Sequence, residues 1–264
     1  MFSSMPMRLA ATWRALVPLS IRDRLAIARR RVRAWSGSTY YAAHGEDAVA
    51  VSWFSYFGFD FSKVRYVDVG AAHPTRLSNT YMLYRLGARG VLVEPDPEQA
   101  RVLRQARPRD IVINAGVAFD DRRKATLFRT TSRVFNSFSR AHAESAVAQS
   151  QDWPADQRQR MLAPVEVPLI PLNEIVREHL RESPPHFISI DTEGADFAIL
   201  QSIDFGLLSQ DPEAPRLICI EASSDYPVVH SVLGPHGFEL TARTPTNWLF
   251  VHPGRLRGKM DFAR

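Results

Sequence analysis

Cysteine is nearly absent, with Cys219 alone in 264 residues. That excludes a disulfide framework and a cysteine-built metal site, and it points to a reducing compartment, the cytoplasm. Because Cys219 lies inside the apolar run Leu217-Ile218-Cys219-Ile220, it reads as a packed core thiol and not as a nucleophile. Long apolar stretches are missing too. None approaches the roughly eighteen residues of a membrane span, and Arg14 and Pro18 interrupt the one early candidate. A secretory signal is likewise not expected, for want of a continuous apolar core and a small-residue cleavage site. Lysine is scarce, outnumbered by arginine 30 to 3, so an arginine at any one position carries little information by itself. Glycine is scarce where a dinucleotide site would need it. Gly70-Ala71-Ala72-His73-Pro74-Thr75 keeps only the first glycine of a G-x-G-x-x-G turn, and pyrophosphate requires the second for close backbone approach.

What is present is enough for one α/β domain with decorations and a full core. The formal charge of +5 is unevenly placed: residues 1 to 34 hold eight arginines against one aspartate, so the rest of the chain is slightly acidic. No basic patch with interleaved aromatics suggests a nucleic-acid partner. Residues 1–38 read instead as a basic amphipathic helical segment. Ser20 is placed to cap it with Asp23 three residues on, and Ile21, Leu25, Ala28, Val32 and Trp35 share one stripe. Packing of that stripe on the domain, peripheral contact with an anionic membrane surface and a mitochondrial presequence are the three readings. Residues 39–264 form the main domain, with a polar, helix-prone insertion near 131–163 that suits a lid or an acceptor-binding cap.

The domain is organised around Arg65-Tyr66-Val67-Asp68-Val69-Gly70-Ala71-Ala72. It reads as a buried strand that breaks into a small-residue turn where the chain must bend toward a ligand. A helix is expected over Arg76 to Leu86, then a strand Gly90-Val91-Leu92-Val93 ending in Glu94. An acid at the end of the second strand is where a ribose diol is gripped. A ligand with ribose and adenine but no phosphates tolerates alanine in the turn, and S-adenosylmethionine is the common one. Ser78-Asn79-Thr80-Tyr81 opens the expected helix, where free amides suit a carboxylate and Asn79 adds an amide contact. Ile111-Val112-Ile113 reads as a third strand, with Asn114 at its end beside the adenine.

The apolar run Phe187-Ile188-Ser189-Ile190 reads as a central parallel strand and ends in Asp191-Thr192-Glu193-Gly194. The strand Arg216 to Ile220 ends likewise in Glu221. Ligands of open parallel sheets sit beyond the carboxyl ends of the strands, so Asp191, Glu193 and Glu221 are expected on one rim. They suit accepting a proton from a hydroxyl, holding sugar hydroxyls, or ligating a divalent cation. Helix capping by Asp191 and Glu193 is the structural alternative. His73 reads either as a base near the acceptor or as a turn residue before Pro74. The remaining histidines show no metal-ligand spacing.

Gly45-Glu46-Asp47, Asp68 through Pro74, Ser78-Asn79-Thr80-Tyr81, Val93-Glu94-Pro95 and Ile190-Asp191-Thr192-Glu193-Gly194 together resemble the ordered signature of the FkbM-type methyltransferases, over roughly residues 40–252. The resemblance implies a class I Rossmann-like α/β fold: a seven-stranded, mostly parallel sheet whose last strand is antiparallel, here Phe238 to Ala242 with Trp248 to Val251. It implies S-adenosylmethionine as donor and O-methyl transfer, often to a sugar hydroxyl of a glycan, glycolipid or natural product. Asp68 and Gly70 then form the methionine-side loop with Ala71, Glu94 holds the ribose, and Asp191 and Glu193 face the acceptor. Ala72-His73-Pro74 stands where the family usually has Asn-Xaa-Gly. A nicotinamide-dependent oxidoreductase and a non-catalytic assembly protein on the same fold are the rival readings.

Overall fold

The computed structural model describes residues 40–208, 215–222, 225–252 and 254. The basic segment 1–38 lies outside the described residues. Seven strands make the main sheet. They are β1 (Arg65–Val69), β2 (Arg89–Val93), β3 (Ile111–Ile113), β7 (Phe187–Ile190), β8 (Arg216–Glu221), β9 (Glu239–Arg243) and β10 (Asn247–His252), and they lie in the order β3-β2-β1-β7-β8-β10-β9. All pairings are parallel except those of β10, which runs antiparallel to both β8 and β9. A three-stranded sheet, β4 (Gly116–Ala118), β6 (Val165–Pro171) and β5 (Lys124–Leu127), flanks it in that order.

Alternation along the strands explains the layering. Val67, Val69, Val91, Val93, Ile188, Ile190, Ile218 and Ile220 turn to one face, under α5 (Leu172–His179), α6 (Asp196–Gln201) and α8 (Tyr226–Leu233). Tyr66, Leu92, Phe187, Leu217, Cys219 and Leu249 turn to the other, packed with Phe54 of α1 (Glu46–Tyr56) and Leu83 of α2 (Tyr81–Arg85). A sheet covered on both faces needs apolar side chains at successive positions, which is why β7 and β8 read as continuous runs. Burial pushes the Cys219 thiol well up from its usual range, so it is an inert core group.

One expected helix is shorter than its sequence suggested. Instead of Arg76 to Leu86, α2 spans Tyr81–Arg85. Leu77 adopts a left-handed φ of 56°, and the His73 Nδ1 accepts the amides of Thr75 at 3.1 Å and Arg76 at 2.9 Å. That local turn competes with helix for the same amides, and the helix starts only where the Ser78 hydroxyl accepts the Tyr81 amide. By contrast, α3 (Pro97–Ala106) begins where its sequence says: Asp96 accepts the Glu98 amide at 2.9 Å and proline sits at the first helical position, both strong start signals. Within the insertion, only α4 (Arg140–Gln149) and a short 3-10 turn, Ser150–Asp152, are helical.

Arg107, at the end of α3, is fully buried. Its Nε donates to Asp110 at 2.7 Å, its Nη2 to the Tyr66 hydroxyl at 2.7 Å and its Nη1 to Thr80 at 3.1 Å. Thr80 in turn donates to Asp68 at 2.6 Å. The guanidinium also lies over the Tyr84 ring, 4.9 Å from its centroid. This network pins the connection after β1 beneath the sheet rim. Replacing Arg107 by Met leaves Asp110 and Asp68 uncompensated, a change expected to cost about 3–5 kcal/mol. Urea denaturation should show that loss, with Asp110→Asn recovering part of it in the double variant.

Candidate active site

Strand order reverses at β1, since the chain steps outward to β2 and β3 and then returns to β7 on the other side. In open parallel sheets such a switch point leaves a crevice at the carboxyl ends of the strands. Three chemically interesting residues follow those ends directly. Gly70 donates its amide to the Val93 carbonyl at 3.0 Å, Asp191 to that of Val69 at 3.0 Å, and Glu94 to that of Ile113 at 3.0 Å. Each is thus held by the last carbonyl of a neighbouring strand.

Gly70 has φ +80°, and a Cβ there would lie 1.7 Å from the Asp191 carbonyl oxygen. Only glycine permits that approach. The turn continues through Ala72, φ 41°, whose amide donates to Glu94 Oε2 at 2.8 Å, while Glu94 Oε1 accepts the Asp96 amide at 2.8 Å. A carboxylate has about four acceptor positions, so two remain for a diol. Burial raises Glu94 from 4.5 to about 7, against the two amide hydrogen bonds that lower it.

A cleft partly open to solvent lies between these groups. Gly70, Ala72, Glu94, Asp191 and Glu193 line it on the sheet side, and Ala115, Gly116 and Val117 at the end beyond β3. Arg133, Val134, Asn136 and Phe138 wall the opposite side.

The acid rim is dense. Asp191, Glu193 and Glu221 each offer an oxygen, all within 4.8 Å of one another. Burial first, then the charges of Asp196 and Glu193, pushes Asp191 from 3.8 up to about 8. Glu221 rises from 4.5 to about 9, by burial and then by Asp196 and Asp191. Its Oε2 is buried with no hydrogen-bond partner among the described residues. Asp196 organises the loop instead of facing the cavity, accepting the amides of Thr192 at 2.7 Å and Gly194 at 3.1 Å. Glu193 sits at a left-handed φ of 56°, a conformation uncommon outside glycine, and its carboxylate meets His142 of α4 at 2.9 Å.

The other sequence candidates lie outside the cavity lining. Asn79 donates to the Ser189 hydroxyl at 3.0 Å and so is tied to β7. Asn114 donates to the carbonyls of Glu94 and Pro95 at 2.9 and 3.0 Å, holding the loop after β2 in shape. Asp68 is buried in the Thr80 and Arg107 network. Ala71 packs in the core beside Leu83. His73 is a turn cap, as described above, and the histidine that meets a carboxylate at the rim is His142. Asp96, Arg133, Asn136 and Phe138 carried no recognisable motif. Only the capping signature of Asp96 before Pro97 was readable.

A sheet in this order, with a small-residue turn after the first strand and an acid after the second, defines a class I methyltransferase fold. The chain belongs to the methyltransferase FkbM domain family, which matches residues 68–239. No curated protein matches the sequence significantly. Among solved structures, a TehB-like SAM-dependent methyltransferase from Corynebacterium glutamicum is 12% identical with a TM-score of 0.39, covering 89% of this chain and 100% of its own. An O-methyltransferase from Bacillus cereus in complex with SAH is 12% identical, TM-score 0.38, covering 89% and 92%. The 1,6-didemethyltoxoflavin-N1-methyltransferase of Burkholderia thailandensis is 11% identical, TM-score 0.37, covering 94% and 89%. At such scores these likenesses carry no argument; the family match and the strand order do. No helix among the described residues is long and apolar enough to cross a membrane.

The raised carboxyls have a direct consequence for stability. Each of Asp191, Glu221 and Glu94 binds its proton more tightly in the fold than in the unfolded chain. Between the unfolded and the raised values the folded state carries the extra proton, so stability is lost as pH rises through that window. The ligand-free protein should therefore melt at a lower temperature at pH 9 than at pH 6, and Glu221→Gln should flatten the difference. Stability that rises over this range would contradict the assignment.

Proposed function

We propose that this protein is an S-adenosylmethionine-dependent O-methyltransferase whose acceptor is a sugar hydroxyl of a glycan, glycolipid or natural product. The observation that carries the donor reading is the pairing, across one cavity, of Glu94 as a half-used carboxylate with the Gly70 turn. This arrangement suits a ribose diol and a methionine tail, with no requirement for pyrophosphate. The missing second and third glycines weigh against a nicotinamide cofactor.

Support for the acceptor reading comes from the rim. Asp191, Glu193 and Glu221 present several hydrogen-bonding oxygens in one place, as a polyol requires. Methyl transfer is an in-line displacement: the hydroxyl oxygen forms a bond to the methyl carbon as the sulfonium C–S bond breaks, and S-adenosylhomocysteine leaves neutral at sulfur. Positioning supplies much of the rate. The hydroxyl proton passes to Asp191, whose raised value of about 8 lies near working pH, where a general base is most effective. The absence of an Asn/Asp-Pro-Pro-aromatic turn after β7 favours oxygen over an exocyclic nitrogen and a sugar over a nucleic-acid base. A hard divalent cation shared by the three carboxylates is the second reading, favoured by the unpaired Glu221 Oε2.

Transfer of a labelled methyl group from S-adenosylmethionine should be screened against neutral and amino-sugar glycosides and glycolipids, with and without added magnesium. On the accepted sugar, Asp191→Asn should lower turnover about 100-fold or more while leaving donor affinity within about twofold. Equal loss of both would remove Asp191 from the base role, and dependence on magnesium would favour the cation reading.

A further inference from the structure

Residues 129–138, between β5 and α4, cross the cavity and are fastened on both of its walls. On the side of β2, Arg133 Nη1 reaches both oxygens of Asp96, at 3.2 and 3.1 Å, and its Nη2 bonds Glu98. Asn136 Nδ2 donates to Asp96 Oδ2 at 3.1 Å, and Arg129 Nη1 lies 3.6 Å from Glu98 Oε1. On the side of β7, the Ser137 hydroxyl donates to the Glu193 carbonyl at 2.7 Å. Internally the segment is closed by the Thr130 amide on Asn136 Oδ1 at 2.8 Å and braced by Gln159, which accepts the Ser132 amide at 2.7 Å.

Two facts distinguish this from ordinary surface pairing. The first is that Asp96 is fully buried, so its partners are not solvent-screened in the way of an exposed ion pair. The second is its position: its own amide donates to Glu94 Oε1, and Glu94 holds the Ala72 amide of the first turn. Strap, ribose-side acid and methionine-side loop are thus linked in series. Arg133 also holds a left-handed φ of 64°, a conformation that persists only where surroundings enforce it.

We propose that residues 129–138 are a strap retaining the methyl donor, with Arg133 as its fastening and Asp96 as the positioning residue that transmits strap closure to Glu94. This rests on the donor reading of the cavity. A nucleoside lying between Glu94 and Val134 cannot leave past Arg133 and Asn136 unless the bonds to Asp96 open, so they govern its release more than its contacts alone do.

The test is the release rate of S-adenosylhomocysteine, followed by stopped-flow displacement with excess S-adenosylmethionine, at 50 and 500 mM salt. Arg133→Ala should speed release at least tenfold, and Arg133→Lys by clearly less. Asp96→Asn keeps the α3 cap, since asparagine caps as well as aspartate, and it should also speed release. The double variant should be no faster than the faster single, as expected for two partners in one interaction. Release from Arg133→Ala within twofold of the unaltered protein, or strictly additive effects in the double variant, would overturn the strap. Failure of the unaltered protein to bind either nucleoside would instead overturn the donor reading beneath it.

Discussion

Parallel pairing of β1 with β2 on one side and β7 on the other, in unbroken register from Arg65–Arg89 to Val69–Val93 and from Tyr66–Phe187 to Val69–Ile190, brings three strand ends to one level. Everything at the site depends on that levelling. It sets the Asp191 carbonyl where any side chain at residue 70 would collide with it. The small turn is therefore a steric consequence of how the central strands meet as well as a device for admitting a ligand. The same register delivers Glu94 and Asp191 to one crevice, so the spacing of these two carboxyls follows from sheet geometry.

Polar groups below and above the rim stabilise this geometry at some cost. Arg107 lies under it, compensating Asp110 and Asp68 from within the core. Above it, carboxyls crowd closely enough to hold their protons near neutral pH. Buried like charges destabilise a fold, and retaining the protons relieves that repulsion between Asp191, Glu193 and Glu221.

Much of the sheet was legible because its signals are local. Continuous apolar runs marked β7 and β8, each ended by an acid. The antiparallel pair near the end emerged as Glu239–Arg243 and Asn247–His252, close to the expected bounds. What was not legible depends on contacts distant in sequence. His73 reads as a base until its ring is seen to accept two amides of its own turn. Asn79 reads as a ligand contact until its amide meets Ser189, more than a hundred residues on. Arg133 has no pattern at all in a chain rich in arginine, and the flanking sheet pairs segments that are far apart in sequence.

The account stands or falls on the cavity beside Glu94 being a donor site. Calorimetric titration of the purified chain with S-adenosylmethionine and S-adenosylhomocysteine, repeated on Glu94→Ala, tests this directly. The account predicts saturable binding of both nucleosides, weakened at least about tenfold by the substitution, or about 1.4 kcal/mol. Absence of binding by the folded protein, or binding that Glu94→Ala leaves unchanged, would contradict it.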